Sequence, residues 1–364
     1  MTSGPTRQAA GPGHDDRAPL REVVVGIGTP LADGLVERLR AVPGVRLVHP
    51  AEHLPPQRHV ADHAGEPDAG RLVALVESLR GCEVVLGVPA DTPAGLAALV
   101  EAGTATRWVQ AMAAGAGEQV RRAELAEATL QRVTVTTSAG VHAQPLAEFV
   151  MFGLLAFHKD VDRLLELRRT GAWPTRWTMT QLQGRRLLVL GMGSIGAAVA
   201  TRAAAFGMTV TGVRRSRGGE PPPGVSALRP LSELHDALTA AADVVVTLPG
   251  TAETEGILDA SAIASLPAGA VVVNVGRGSC VDEDALADAL ESGHLRGAVL
   301  DVAASEPRPP EHPLWQRPDV LQSPHTAALS VHEDSRIVDL FLENLSAYRS
   351  GLPMRNVVRT DVFY

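Results

Sequence analysis

The chain has 364 residues, which at about 150 residues per domain suggests two domains. Hydrophobic residues at 45% and charged residues at 20% exclude a disordered chain. The 33 Lys and Arg against 41 Asp and Glu give a net charge of −8, which disfavours general attraction to nucleic acid or anionic lipid. Lys159 is the only lysine, which removes a P-loop and leaves one candidate for a Schiff base. Cys82 and Cys280 cannot form a disulfide framework or, alone, a structural zinc site, and no metal is expected. The longest apolar runs, such as Phe149–Phe157, fall short of the roughly 20 residues that span a bilayer. The expectation is a cytoplasmic α/β protein.

Met1 to about Pro19 is rich in Gly, Pro, Ala and Asp, lacks the apolar segment of a signal peptide, and reads as a disordered tail. From Val23 onward, β-branched runs at Val23–Gly28, Val45–Val48, Glu83–Val88, Trp108–Met112 and Val133–Thr137 alternate with helical patterns. Those patterns lie at Leu31–Ala41, Arg71–Arg80, Pro93–Ala102 and Glu118–Leu130. Continuous apolar strands alternating with helices predict a parallel sheet covered on both faces. A long helix, roughly Gln144–Thr170, opens a second series. Its strands are Arg186–Leu190, Thr209–Val213, Asp243–Leu248, Val271–Val275, Ala298–Val302 and Val320–Gln322, the six of a dinucleotide-binding doubly wound sheet. One last helix, about Thr326–Ser350, has no strand nearby and is read as returning to the first domain. The expected architecture is two doubly wound parallel-sheet domains. A catalytic, substrate-binding domain would comprise 21–140 and 327–364, with a Rossmann domain at 141–326 inserted into it and a hinge at the two crossings.

Arg186–Leu190 runs directly into Gly191-Met-Gly193-Ser194-Ile195-Gly196 and an Ala-rich helix. The first glycine permits a tight turn, the second lets a pyrophosphate approach the backbone, and the third allows helix to pack on strand. Gly26-Ile-Gly28 shows how cheaply glycine fragments arise; what distinguishes Gly191–Gly196 is strand, loop, helix and second strand standing in order. Beyond that second strand come Arg214-Arg215-Ser216-Arg217, where an NAD-preferring site carries an acid for the ribose 2′-OH. Guanidinium groups and a hydroxyl suit a 2′-phosphate, so NADP is favoured, with NAD also possible.

Three segments sit at predicted strand ends: Asn274-Val275-Gly276-Arg277-Gly278, Leu300-Asp301 through Glu306-Pro307, and Ser323-Pro324-His325-Thr326-Ala327-Ala328. Reducing a keto acid needs a cation on its carboxylate and ketone, an acid for the new alkoxide, and a group keeping that acid protonated. Arg277, His325 and Glu306 supply those types, since a carboxylate beside an imidazole favours the imidazolium. At these motifs the chain resembles the D-isomer-specific 2-hydroxyacid dehydrogenase family, from about residue 22 to its end. The resemblance implies that Arg277 binds the keto acid, His325 is the acid/base and Glu306 is its partner. It further implies that Asp301 holds the nicotinamide carboxamide, and that Leu248, Pro249 and Thr254 line the dinucleotide. Val275, Gly276, Arg277, His325 and Ala327 join the cofactor set. Trp108 through Ala116 looks like the loop whose amides, here near Ala114, Gly115 and Ala116, receive the substrate carboxylate, although Gly115-Ala116-Gly117 lacks the aspartate many relatives carry.

The family's long first helix forms a dimer arm, so a homodimer is expected. The segment Leu352-Pro-Met-Arg355-Asn356 and terminal Tyr364 are similar to the glyoxylate/hydroxypyruvate reductase branch. A dehydrogenase-shaped NAD(P) sensor or co-regulator is the alternative class, disfavoured because a sensor needs no proton donor. A phosphite-dehydrogenase-like enzyme shares all three catalytic types. Trp108 and Trp315 are read as packing, and Cys280 as a small apolar filler.

Overall fold

The computed structural model describes residues 21–57, 61–64, 68–215 and 219–361. The expected N-terminal tail, Ser216, Arg217 and Tyr364 lie outside the described residues. The chain divides into two compact units, one of residues 1–138 and 337–364, the other of residues 139–336.

The first unit runs β1 (Val23–Ile27), α1 (Asp33–Arg40), β2 (Val45–Val48), α2 (Ala69–Leu79), β3 (Val84–Leu86), α3 (Pro93–Ala102), β4 (Trp108–Gln110), α4 (Ala116–Arg122), α5 (Glu127–Arg132) and β5 (Thr134–Thr136). Its five strands are all parallel, in the order β2-β1-β3-β4-β5, one of the two common doubly wound arrangements. Asp68 caps α2 by accepting from the amides of Gly70 and Arg71, and the Thr92 hydroxyl accepts from Gly95 at the start of α3. The single helix expected over Glu118–Leu130 is two, because Glu124 at φ +48° leaves the right-handed basin.

The second unit holds α6 (Ala143–His158), α7 (Val161–Thr170), β6 (Arg186–Leu190), α8 (Ser194–Ala205), β7 (Thr209–Arg214), β8 (Ala227–Pro230), α9 (Leu234–Ala240), β9 (Asp243–Val246), α10 (Ala260–Ala264), β10 (Ala270–Asn274), α11 (Glu283–Glu291), β11 (Leu295–Leu300) and β12 (Val320–Gln322). Its parallel order is β12-β11-β10-β9-β6-β7-β8. Period-two alternation divides each central strand between two cores. Leu188, Leu190, Val244, Val246 and Val272 enter one, and Leu187, Val189, Val245, Val271 and Val273 the other. Apolar residues on both faces account for the unbroken hydrophobic runs read from the sequence.

In the second unit the number of elements differs from the sequence reading at two places. β8 adds a seventh strand that carries no apolar run, because it is a half-buried edge beside β7. The long helix breaks between α6 and α7 at Asp160, which is left-handed at φ 50° and ψ 46°. Its carboxylate accepts from Trp177 Nε1 at 2.7 Å and from Arg296 Nη2 at 2.5 Å, bonds that reward the break.

The last helix, α12 (Glu333–Arg349), begins later than the Thr326 expected for it. Amides that would open a longer helix are engaged elsewhere: Thr326 N–H donates to Ser323 Oγ and Ala327 N–H to Asp301 Oδ1. From residue 337 the helix belongs to the first unit. There Phe341 stacks on buried Trp108 at 5.0 Å, and Asn344 Nδ2 donates to Gln110 Oε1. Trp108 is core, as the sequence suggests.

Candidate active site

The strand order of the second unit reverses between β6 and β9, and at such a switch point the strand ends diverge and leave a crevice. The glycine loop leaves β6 there. Gly191 has φ +97°, open to glycine at little cost. A Cβ at Gly196 would overlap the carbonyl of Gly191, so that position must stay bare for α8 to approach the loop. Gly193 differs: a Cβ there meets no atom of the described residues within 4 Å. The fold itself therefore requires the first and third glycines and leaves space at the second, as a loop that admits a diphosphate to the start of α8 would. Ser194 is exposed and Ile195 half-buried at this helix start.

Thr247, which sequence reasoning passed over, donates its hydroxyl to the carbonyls of Gly191 at 2.8 Å and Leu190 at 3.1 Å. It ties the loop to the end of β9, beside half-buried Leu248 and Pro249. Thr254 is buried and committed to its own turn, donating to Pro249 O at 2.5 Å and accepting from Thr251 N–H at 2.9 Å. At the end of β7, Arg214 is half-buried and donates to Gly219 O, while exposed Arg215 pairs with Glu253 at 3.0 Å.

Arg277, Glu306 and His325 all come to the same unit. Arg277 follows β10 on a loop locked by Asn274, whose Nδ2 donates to Arg277 O at 2.9 Å and whose Oδ1 accepts from Gly276 N–H at 3.0 Å. Val275 and Gly276 are buried in this loop, and a Cβ at Gly276 would crowd Leu248 O. Glu306 Oε2 lies 2.7 Å from His325 Nδ1, while its Oε1 accepts from Ala303 N–H at 2.9 Å. Burial works to raise the Glu306 carboxyl, but the His325 hydrogen bond, the Ala303 amide and the charges of His325 and Arg277 outweigh it and hold it below its ordinary value. The pair is only partly screened from solvent, with side-chain exposures of 47% for His325 and 39% for Glu306.

The loop bearing His325 is braced from below. Asp301 is buried, and its Oδ1 accepts from Ser323 Oγ at 2.7 Å and Ala327 N–H at 2.9 Å. His325 itself is left-handed at φ 55°, a conformation such bracing makes tenable. A cavity of about 140 Å³ opens against Glu306 and His325, with Trp315 and Gln322 on its wall. Trp315 therefore lines the site instead of packing in a core. Ala114 and Gly115 form an exposed turn in the first unit that leads into α4 at buried Ala116. Cys280 is fully buried, and burial pushes its thiol up, as suits a filler.

A glycine loop at a sheet's switch point, with a His–Glu pair and an arginine on strand-end loops of the same unit, is the arrangement of a dinucleotide-dependent dehydrogenase. A family model described as the NAD binding domain of D-isomer specific 2-hydroxyacid dehydrogenases matches residues 151–327. A glyoxylate reductase of Korarchaeum cryptofilum (strain OPF8) is 32% identical over 296 residues, which are 79% of this chain and 86% of that protein. A D-isomer specific 2-hydroxyacid dehydrogenase from Xanthobacter autotrophicus Py2, solved in complex with NADPH and MES, is 30% identical with a TM-score of 0.72, covering 94% of this chain and all of that one. A family protein from Aeromonas salmonicida subsp. salmonicida A449 has a TM-score of 0.75 at 26% identity over 94% of this chain and all of its own. The chain belongs to the D-isomer-specific 2-hydroxyacid dehydrogenase family and is an NAD(P)-dependent oxidoreductase.

Proposed function

We propose that the chain reduces a small 2-keto acid of the glyoxylate or hydroxypyruvate type, with NADPH preferred over NADH. The observation that carries this reading is the His325–Glu306 pair at 2.7 Å, with the Arg277 charge near enough to favour the ionised carboxylate. Gly191, Gly193, Ser194, Ile195 and Gly196 would hold the diphosphate, with Leu248, Pro249 and Thr254 as a neighbouring wall. Asp301 and Ala327, joined by a hydrogen bond, would stand nearest the nicotinamide amide. Bound there, the reduced nicotinamide supplies the hydride.

The remaining work falls to side chains. Arg277 holds the keto-acid carboxylate and polarises the ketone. His325 gives its Nε2 proton to the oxygen that becomes the alcohol, because Nδ1 is engaged by Glu306. Glu306 orients the ring by engaging Nδ1. Asn274 and Asp301 keep the two loops in place through the bonds described above.

The preference for NADPH rests on Arg214 and Arg215 at the end of β7, together with Ser216, and on the absence of an acid at these positions. NADPH oxidation with glyoxylate and with hydroxypyruvate, repeated with NADH, tests both parts. Turnover with NADPH and a higher KM for NADH are expected. Replacing Arg214 and Arg215 by Ala should raise the KM for NADPH far more than that for NADH. Equal or better use of NADH by the native enzyme would remove the cofactor assignment, and no turnover of any 2-keto acid would remove the activity.

A further inference from the structure

An ion pair centred on buried Arg308 stands behind the turn that carries Glu306. Arg308, two residues further on, is only 7% exposed. Its Nη2 donates to Glu283 Oε1 at 2.8 Å and its Nη1 to Glu283 Oε2 at 2.9 Å, the two-pronged geometry that makes arginine–carboxylate pairs strong and directional. The same Nη1 lies 2.9 Å from His312 Nδ1. Glu283 opens α11, a helix start fixed by Asp282, which accepts from Ala285 N–H.

Glu283 has a second hold on the turn. Its Oε1 also accepts from Ala304 N–H at 2.9 Å. One carboxylate on a capped helix thus grips the turn near its beginning, at Ala304, and near its end, at Arg308. Glu306 lies between those grips, with Oε1 on Ala303 N–H and Oε2 toward His325. Burying two charges is costly, and apolar residues of similar volume pack as well or better. Packing therefore gives no reason for an ion pair here, whereas holding a carboxylate in register with its imidazole does, since directional bonds fix a loop as apolar contacts cannot.

We infer that the Glu283–Arg308 pair, with His312 against it, is the device that positions Glu306 on His325. Arg308 and Glu283 are positioning residues, acting on the ketone only through Glu306. The inference rests on the proposal that Glu306 and His325 form the proton-donating pair.

The test compares Arg308→Met, Glu283→Gln, the double variant and Arg308→Lys with Glu306→Gln and His325→Ala. Each is measured for glyoxylate reduction across pH, for NADPH binding by fluorescence, and for thermal unfolding. The charged and titratable groups around Glu306 are His325 and Arg277, and those around Arg308 are Glu283 and His312. Arg308→Met should lower kcat about 10-fold or more, the scale of a misplaced catalytic group. NADPH affinity should stay within about twofold, and the acid limb should move to higher pH as the Glu306 carboxyl loses its aligned partners. Arg308→Lys should restore part of kcat and of the limb. The double variant leaves no unpaired buried charge, so it separates misplacement from misfolding and should show the same kcat loss. Wild-type kcat and pH limbs in folded Arg308→Met, the double variant or, where neither folds, Arg308→Lys would overturn the inference. If Glu306→Gln and His325→Ala also reduce glyoxylate normally, the failure belongs to the proposed function; if only those two are impaired, it belongs to the positioning role.

Discussion

At the scale of the residue, the chemistry turns on which atoms remain available. His325 uses Nδ1 on Glu306, so Nε2 is the nitrogen free for substrate in the proposed mechanism. The Glu306 carboxyl is held below its ordinary value, against the pull of burial, by the His325 hydrogen bond, the Ala303 amide and the charges of His325 and Arg277. A depressed carboxyl keeps its pairing above the unfolded value and loses it as pH falls through the folded one. Glu306→Gln keeps the size and removes the titrating carboxyl. The acid limb set by this carboxyl should then disappear, with NADPH binding unchanged. His325→Ala should lose most of kcat at every pH, by about 100-fold or more on the usual scale of general acid catalysis. An unmoved profile in Glu306→Gln would show that the pair does not act as a unit.

At the scale of the element, much of the candidate site was legible because the residues proposed to do chemistry are also the ones whose types are hard to explain otherwise. Arg277, Glu306 and His325 read directly, and each sits just past a β-strand or on the loop that follows one. The bracing roles of Thr247, Ser323 and Glu283 did not read, because a hydroxyl or carboxylate that braces a loop has no spacing signature; only the fold shows what it reaches. β8 was illegible for the opposite reason: a half-buried edge needs no apolar period. The α6–α7 break depends on Asp160 finding Arg296, 136 residues away, which no local pattern encodes. The glycine loop offers a test at this scale. Gly196→Ala puts a methyl on the Gly191 carbonyl and should destabilise the second unit, seen as a lowered melting temperature without any ligand. Gly193→Ala meets only open space, so its melting temperature should hold while the KM for NADPH rises. Equal NADPH affinity in Gly193→Ala would mean that the loop does not receive the diphosphate.

At the scale of the whole molecule, the second unit carries an apolar face that its own core does not cover. α6 turns Leu146, Ala147, Val150, Met151 and Leu154 into the sheet, but Phe152 points away and is 52% exposed. None of the residues of α7 is buried, although three are leucines, and Trp173 just beyond it is 98% exposed. A groove of about 680 Å³ runs beside these helices, with Phe157, Val161, Leu165 and Leu321 on its wall. Exposed apolar side chains clustered in this way suit an interaction site, and two-fold pairing is the commonest way for identical chains to bury one. The proposed homodimer would use it: each copy would lay α6 and α7 against the other, covering Phe152 and Leu165. Light scattering at micromolar concentration should return twice the 38.2 kDa of one chain. Phe152→Asp with Leu165→Asp should shift that value to a single chain while leaving the second unit folded, because neither side chain contributes to its core. A native mass of one chain, or a variant that stays paired, would show that this face is covered by something other than a second copy.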